Sequence, residues 1–179
     1  MPNGRAHDII TIITVGIADG VYFRFMDHPQ LSLAALFTGT FVFAGFACAG
    51  DLDLNSSELR RWGPLKFIWL PYTTLIRHRS LISHGLIIGG IIRALYLGVA
   101  TTLLFWLSIW LYSRLGPHVN ASEATKNQLG SLTHWFHTHR PLAIAGLSGF
   151  ILAGTVHTIA DIVYSAIKKR LPHKRRRSR

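Results

Sequence analysis

LSLAALFTGTFVFAGFACAG, residues Leu31–Gly50, runs for twenty positions without a charge and stops at Asp51-Leu52-Asp53. A bilayer's hydrocarbon core is crossed by about 20 consecutive apolar residues in a helix, so this stretch is long enough to span one. Two further runs share its character. Gly85–Leu111 carries Arg93 as its only charge, and Pro141–Ala160 has no formal charge, with His157 near its end. Ile9–Met26 is a weaker fourth run, interrupted by Asp19 and Arg24. Together they predict an all-α, membrane-embedded helical bundle of about four transmembrane helices. Composition agrees: charged residues are 15% of the 179, against roughly 25% in ordinary globular domains. A hydrophobic soluble bundle is the alternative.

The connections differ in composition. Residues 51–80 begin polar and basic, then become aromatic and proline-bearing (Trp62, Pro64, Trp69, Pro71, Tyr72). This reads as an interfacial segment, because Trp and Tyr favour the headgroup level. Gly116–Arg140 reads as a polar loop. Gly45 and Ala49, Gly85 and Gly89, and Ala145 and Gly149 are small pairs four apart, a spacing that lets helices approach closely. Cys48 stands alone and reads as a small buried hydrophobe. Arg5 precedes the first run, but no small-residue cleavage site follows, so the run is read as part of the mature protein.

The charge is lopsided. The net charge is +11, and the last twelve residues, Lys168–Arg179, hold eight Lys or Arg. The chain therefore divides into a single domain at 1–167 and a basic tail at 168–179. With four spans and both termini in the cytoplasm, Arg5, the 51–80 linker and the tail lie inside, carrying fourteen of the nineteen Lys and Arg. That satisfies the positive-inside rule. The tail suits anionic lipid headgroups. It has no aromatic interleaving and no nucleic-acid module beside it, so no nucleic-acid partner is expected.

Eight acidic residues are present, and several stand beside the apolar runs. Asp51 and Asp53 follow the second run, where two carboxylates two apart on an extended chain share a side. Their plainer reading is a solvated helix end, although anions are unfavourable at a helix C-terminus. His78 and His84 flank the start of the third run. They converge only if His78 lies in the linker and Ser80 or Ser83 caps the helix; singly, each reads as an interfacial polar residue. His157 and Asp161 are four apart, on one helix face, a common way for a bundle helix to present two metal ligands. A His–Asp hydrogen bond at the membrane edge is the alternative. His7 precedes the first run as a ligand candidate. Its neighbour Asp8 is a candidate base, orienting group or favourable helix-start charge.

The four-span topology puts His7, Asp51, Asp53, His78, His84, His157 and Asp161 at one face, the cytoplasmic one. Imidazole and carboxylate without thiolate suit zinc, manganese or iron(II), and seven ligands suit two or three divalent ions. His134, His137 and His139 fall on the other side and read as loop polarity.

The ordered set Gly4-Arg5-Ala6-His7-Asp8, Gly50-Asp51-Leu52-Asp53, Arg60-Arg61-Trp62-Gly63 with Trp69-Leu70-Pro71-Tyr72, Arg77-His78-Arg79-Ser80 with Ser83-His84-Gly85, and His157-Thr158-Ile159-Ala160-Asp161 resembles a family of uncharacterised metal-binding membrane proteins frequent in cyanobacteria. That family is distantly similar to bacterial membrane-bound metal-dependent hydrolases, which share the Asp-x-Asp, His-Arg with Ser-His, and His-x-x-x-Asp order. The resemblance implies metal binding at the seven positions named. Gly50 stands where related sequences often have proline. Two functions follow as expectations. One is a metal-dependent hydrolase of a phosphoester or lipid-like substrate, using metal-activated water, with Arg77 and Arg79 assisting. The other is a non-enzymatic metal-binding membrane protein, structural, sensory or storage. Either would sit among lipid in a bacterial plasma or thylakoid membrane.

Overall fold

The structure, a computed structural model, describes residues 4–48, 52, 56–76, 85–115 and 120–170. Among the described residues there are seven α-helices, one 3-10 helix and no strand. The helices are α1 (Gly4–Phe25), α2 (Leu31–Ala47), α3 (Ser57–Arg61), α4 (Leu70–Leu75), α5 (Ile88–Leu115), α6 (Ala121–Thr138) and α7 (Arg140–Arg170), with the 3-10 turn at Gly63–Trp69. α7 makes its most extensive contact with α2; α1 packs against both, and α5 packs against α7.

Glycines set how closely these helices meet. A Cβ at Gly149 of α7 would stand 2.4 Å from the Phe37 carbonyl oxygen of α2, and one at Gly45 of α2 would stand 2.5 Å from Thr11 Cγ2 of α1. Gly90 of α5 lies against the Ile151 backbone, where a Cβ would come within 3.0 Å. Gly149 thus meets the backbone of α2 and Gly45 the Thr11 side chain of α1, which accounts for these two members of the small-residue pairs. Ala49 and its neighbours 50 and 51 lie outside the described residues.

Three of the helices are long and apolar enough to cross a membrane: α1, α5 over Ile88–Arg114, and α7. α2 is the shorter apolar helix among the described residues, and positions 49 and 50, which continue its apolar run, lie outside them. It is apolar but has 17 residues, about 25 Å at 1.5 Å per residue, short of a core about 30 Å thick. It begins at Leu31, just after Pro29, and the Cys48 amide donates to the Ala44 carbonyl at 2.9 Å in its last described turn. α1, in contrast, is continuous through Asp19 and Arg24.

Two connections also differ from expectation. The stretch read as a polar loop contains α6, an 18-residue helix. Asn120 is its cap: the side-chain oxygen accepts from the Ser122 and Glu123 amides at 3.1 and 3.3 Å, which satisfies amides that a helix start leaves orphaned. The aromatic linker is folded inward. Ser56 caps α3 by accepting from the Leu59 amide at 3.0 Å. Gly63, with φ of 53°, takes a left-handed conformation that a side chain would resist and turns the chain into the 3-10 segment. Trp69 is fully buried and Tyr72 nearly so. Trp69 stacks on Tyr96 of α5 with ring centroids 5.4 Å apart, and Tyr72 meets the same ring edge-on at 5.2 Å. They are core residues, with Cys48 and Leu52 beside them in the same cluster.

Polarity is distributed in an unusual way. His7, Glu58, Arg93, His157 and Asp161 are buried, whereas Ile9, Ile12, Ile13, Ile17 and Val21 of α1 are exposed.

Candidate metal centre

α1 and α7 meet where each carries its ionisable residues. His7 lies in the second turn of α1, and one turn on, the Thr11 hydroxyl donates to the His7 carbonyl at 2.9 Å while packing on Gly45. This fixes the polar stripe of α1 inward. On α7, His157 and Asp161 are one turn apart on the face turned to α1. Their i, i+4 spacing gives an Nε2–Oδ2 distance of 3.5 Å. The same carboxylate reaches across the helix interface, with Oδ1 at 3.3 Å from His7 Nε2. The two imidazoles stack, with centroids 3.9 Å apart and planes 19° from parallel.

One donor atom from each of these three residues lies within 4.8 Å of the others, and all three residues are buried. The separations suit a shared cation. With bonds of about 2.1 Å, two ligands on a tetrahedral ion stand about 3.4 Å apart; the two His–Asp161 separations, 3.3 and 3.5 Å, are close to this, each through a different carboxylate oxygen. The carboxylate adds a chemical argument. Both Asp161 oxygens are buried and have no hydrogen-bond partner among the described residues. A buried anion so placed is costly unless a cation meets it. The residues therefore fit a divalent ion held by two imidazoles and a carboxylate.

The structure brings together three of the seven sequence candidates, His7, His157 and Asp161. Asp51, Asp53, His78 and His84 lie outside the described residues. What surrounds those two segments is described. Leu52 is buried in the core, and Thr155 of α7 donates to the Leu86 carbonyl just before α5 begins. Asp8 is held apart from the cluster by Arg61, at 2.6 Å. Arg61 also donates to the Phe46 carbonyl at 2.7 Å, so it ties the start of α1 to the end of α2. His134, His137 and His139 are exposed on α6, and the His139 ring stacks on Trp135.

Two charged residues at this end were not singled out from sequence. Arg93 is 1% exposed. Its Nε donates to the Gly89 carbonyl at 3.0 Å, and its guanidinium lies against Gly154, where a Cβ would stand 2.7 Å from it. Gly154 is three residues before His157, so a buried cation lies within one turn of the cluster. It is also close to Tyr72: burial pushes that phenol above its ordinary range, with the Arg93 guanidinium pulling the other way. Glu58, 3% exposed, accepts from the Ser57 hydroxyl at 3.1 Å. Ser57 in turn packs on Gly4, one turn before His7. An isolated charge inside the 85–111 run was the available signal for Arg93. Glu58 gave none, since an acid just after a capping serine is what any helix start shows.

The family model described as "Uncharacterized metal-binding protein (DUF2227)" matches residues 2–171. An uncharacterized protein of Aquifex aeolicus (strain VF5) is 28% identical over 140 residues, covering 72% of this chain and 89% of the relative. No solved structure matches the chain.

Proposed function

The chain belongs to the family of uncharacterized metal-binding proteins (DUF2227), and from that membership we propose that it is an integral membrane metalloprotein that hydrolyses a phosphoester or lipid-like substrate at a metal centre on its cytoplasmic face. The observation that carries the reading is the buried His7–His157–Asp161 constellation. A tetrahedral ion held by these three donors alone would keep one open position, the arrangement of catalytic rather than closed structural sites. Zinc fits best, with manganese or iron(II) as alternatives. The bound ion would supply an activated water and stabilise charge on a phosphoryl or acyl oxygen. Asp51, Asp53, His78 and His84 complete a site for two or three ions. Support for including them is the burial of Leu52 between the two aspartates and the anchoring of Leu86 beside α7. Arg93 provides positive charge within a turn of the centre for an anionic substrate group, with Arg77 and Arg79 from the adjoining segment.

Membrane integration is supported by the three long apolar helices and by the reversed polarity of the bundle, ionisable groups inside and large aliphatic side chains outside. An ionisable residue at membrane depth is costly and is kept for function. The basic segment after α7 then meets anionic headgroups.

A second reading has an observation of its own. The donors come from α1 and α7 and are all buried, so an ion there clamps the two helices whether or not any reaction occurs. One experiment separates the readings. Protein purified in mild detergent without chelator is assayed for metal by elemental mass spectrometry, and for hydrolysis of bis(p-nitrophenyl) phosphate and a short-chain p-nitrophenyl ester, beside His157→Ala/Asp161→Asn. Stoichiometric metal and turnover, both lost in the variant, support the hydrolase. Metal without turnover, with a lowered unfolding temperature on chelation, supports the clamp. No metal, even after reconstitution, removes both.

A further inference from the structure

We infer that the end of the bundle away from the metal centre holds a second ligand site, for an amphipathic primary ammonium: a protonated amine on an apolar body. A cavity of about 500 Å³ opens between the last turns of α1 and the first turns of α2 and α7. Its size is within the range of about 300–1,000 Å³ typical of small-molecule sites. The space exists because Ala18, Ala34 and Ala145 stand where larger side chains would close it, one on each helix. Almost all the lining is apolar. The exceptions are Asp19, Tyr22 and Ser148.

Those three decide the ligand. The Asp19 carboxylate accepts from the Thr38 hydroxyl at 2.6 Å through Oδ2, which leaves Oδ1 for another donor. No Lys, Arg or His forms an ion pair with Asp19 among the described residues. The Ser148 hydroxyl spends its proton on the Ala145 carbonyl at 2.9 Å, so towards the cavity it offers lone pairs. Tyr22 oxygen is anchored by the Gln30 amide at 2.9 Å. The cavity thus presents an apolar wall and a polar edge rich in acceptors, with one negative charge. A neutral lipid chain would leave that charge uncompensated, and an anion would be repelled. A primary ammonium brings positive charge and three N–H donors, and its apolar body fills the remainder. Asp19 is twelve residues beyond His7 along α1, about 18 Å at helical rise, so the two sites are independent.

The test uses the full chain in phosphatidylcholine nanodiscs, with empty discs subtracted. 4-Phenylbutylamine is titrated beside 4-phenylbutan-1-ol, its neutral counterpart. Expected are one saturable amine site per chain, at least tenfold preference over the alcohol, and loss of that preference in Asp19→Asn, which keeps an acceptor for Thr38. Ala145→Phe, which fills the cavity without touching the carboxylate, should abolish amine binding. A gel-filtration profile and thermal unfolding midpoint close to wild type certify that each variant is folded. Equal binding of amine and alcohol, amine binding unaltered by Asp19→Asn, or binding that survives Ala145→Phe would each overturn the assignment. Displacement of the probe by phosphatidylethanolamine in the disc would identify an aminolipid headgroup as the natural amine; no displacement would identify a free amine.

Discussion

The Asp161 carboxylate reaches both of two stacked imidazoles that lie 150 residues apart in the chain, one through each oxygen. Replacing it with asparagine keeps the shape and removes the charge. Asp161→Asn is expected to lower metal affinity by at least the ~10–100-fold that a lost outer-shell partner already costs, read by competition with a chromogenic chelator. Asp8 makes the opposite case. Its partner Arg61 is a third exposed, and half-exposed pairs contribute at most about 1 kcal/mol. Asp8→Asn should keep full metal stoichiometry and shift thermal unfolding only slightly. If Asp8 serves as the base, that variant loses turnover while holding its ion. The adjacency His7-Asp8 was legible in sequence as a pair pointing apart. His7 was favoured from sequence as the ligand candidate, and the structure has it facing Asp161 while Asp8 pairs with Arg61, fifty-three residues away, a partner no local pattern announces.

The helices are defined by their close approaches. Gly149→Ala puts a methyl group 2.4 Å from a backbone carbonyl. The carbonyl cannot swing aside as a side chain could, so α2 and α7 must separate, at about 1–3 kcal/mol by analogy with overpacked cores. Gly16 and Gly98 have nothing within 4 Å of a built Cβ. Gly16→Ala and Gly98→Ala are therefore expected to be neutral or to stabilise by up to about 1 kcal/mol. Denaturation midpoints of the three variants check the contrast. At this scale the apolar runs were read well, because length and absence of charge are visible in one dimension. α6 was not. Its polar composition concealed a helix that depends on the Asn120 cap and on packing against α5. The aromatic linker was misjudged for a related reason: Trp and Tyr favour both membrane interfaces and cores, and only the tertiary fold chose the core for Trp69 and Tyr72.

Across the whole molecule, the joining of His7 with His157 and Asp161 puts the start of α1 and the far half of α7 at one end of the bundle. In the proposed membrane setting, reporters fused before α1 and after the basic tail should be protected on the same face, and the protein should resist alkaline extraction. Release by carbonate would count against integration. The sequence supported this closure only indirectly, through the count of Lys and Arg on alternate connections. The grouping of His7, His157 and Asp161 was legible because each sits on a long regular helix whose face is computable. Asp51, Asp53, His78 and His84 sit in short sequence segments with no such period, and they lie outside the described residues.

The metal cluster joins positions 150 residues apart, His7 and His157. A ribosome adding about 5–20 residues per second takes roughly 8–30 s to cover that interval. For all of it, the first imidazole waits in a chain that cannot yet close around an ion. Loading of an ion there would be a late event, possible only once α7 has been made and docked, and a prematurely terminated product would carry the earlier apolar helices without the cluster. Occupancy of such a site would serve as a certificate of completion, distinguishing a finished molecule from a fragment.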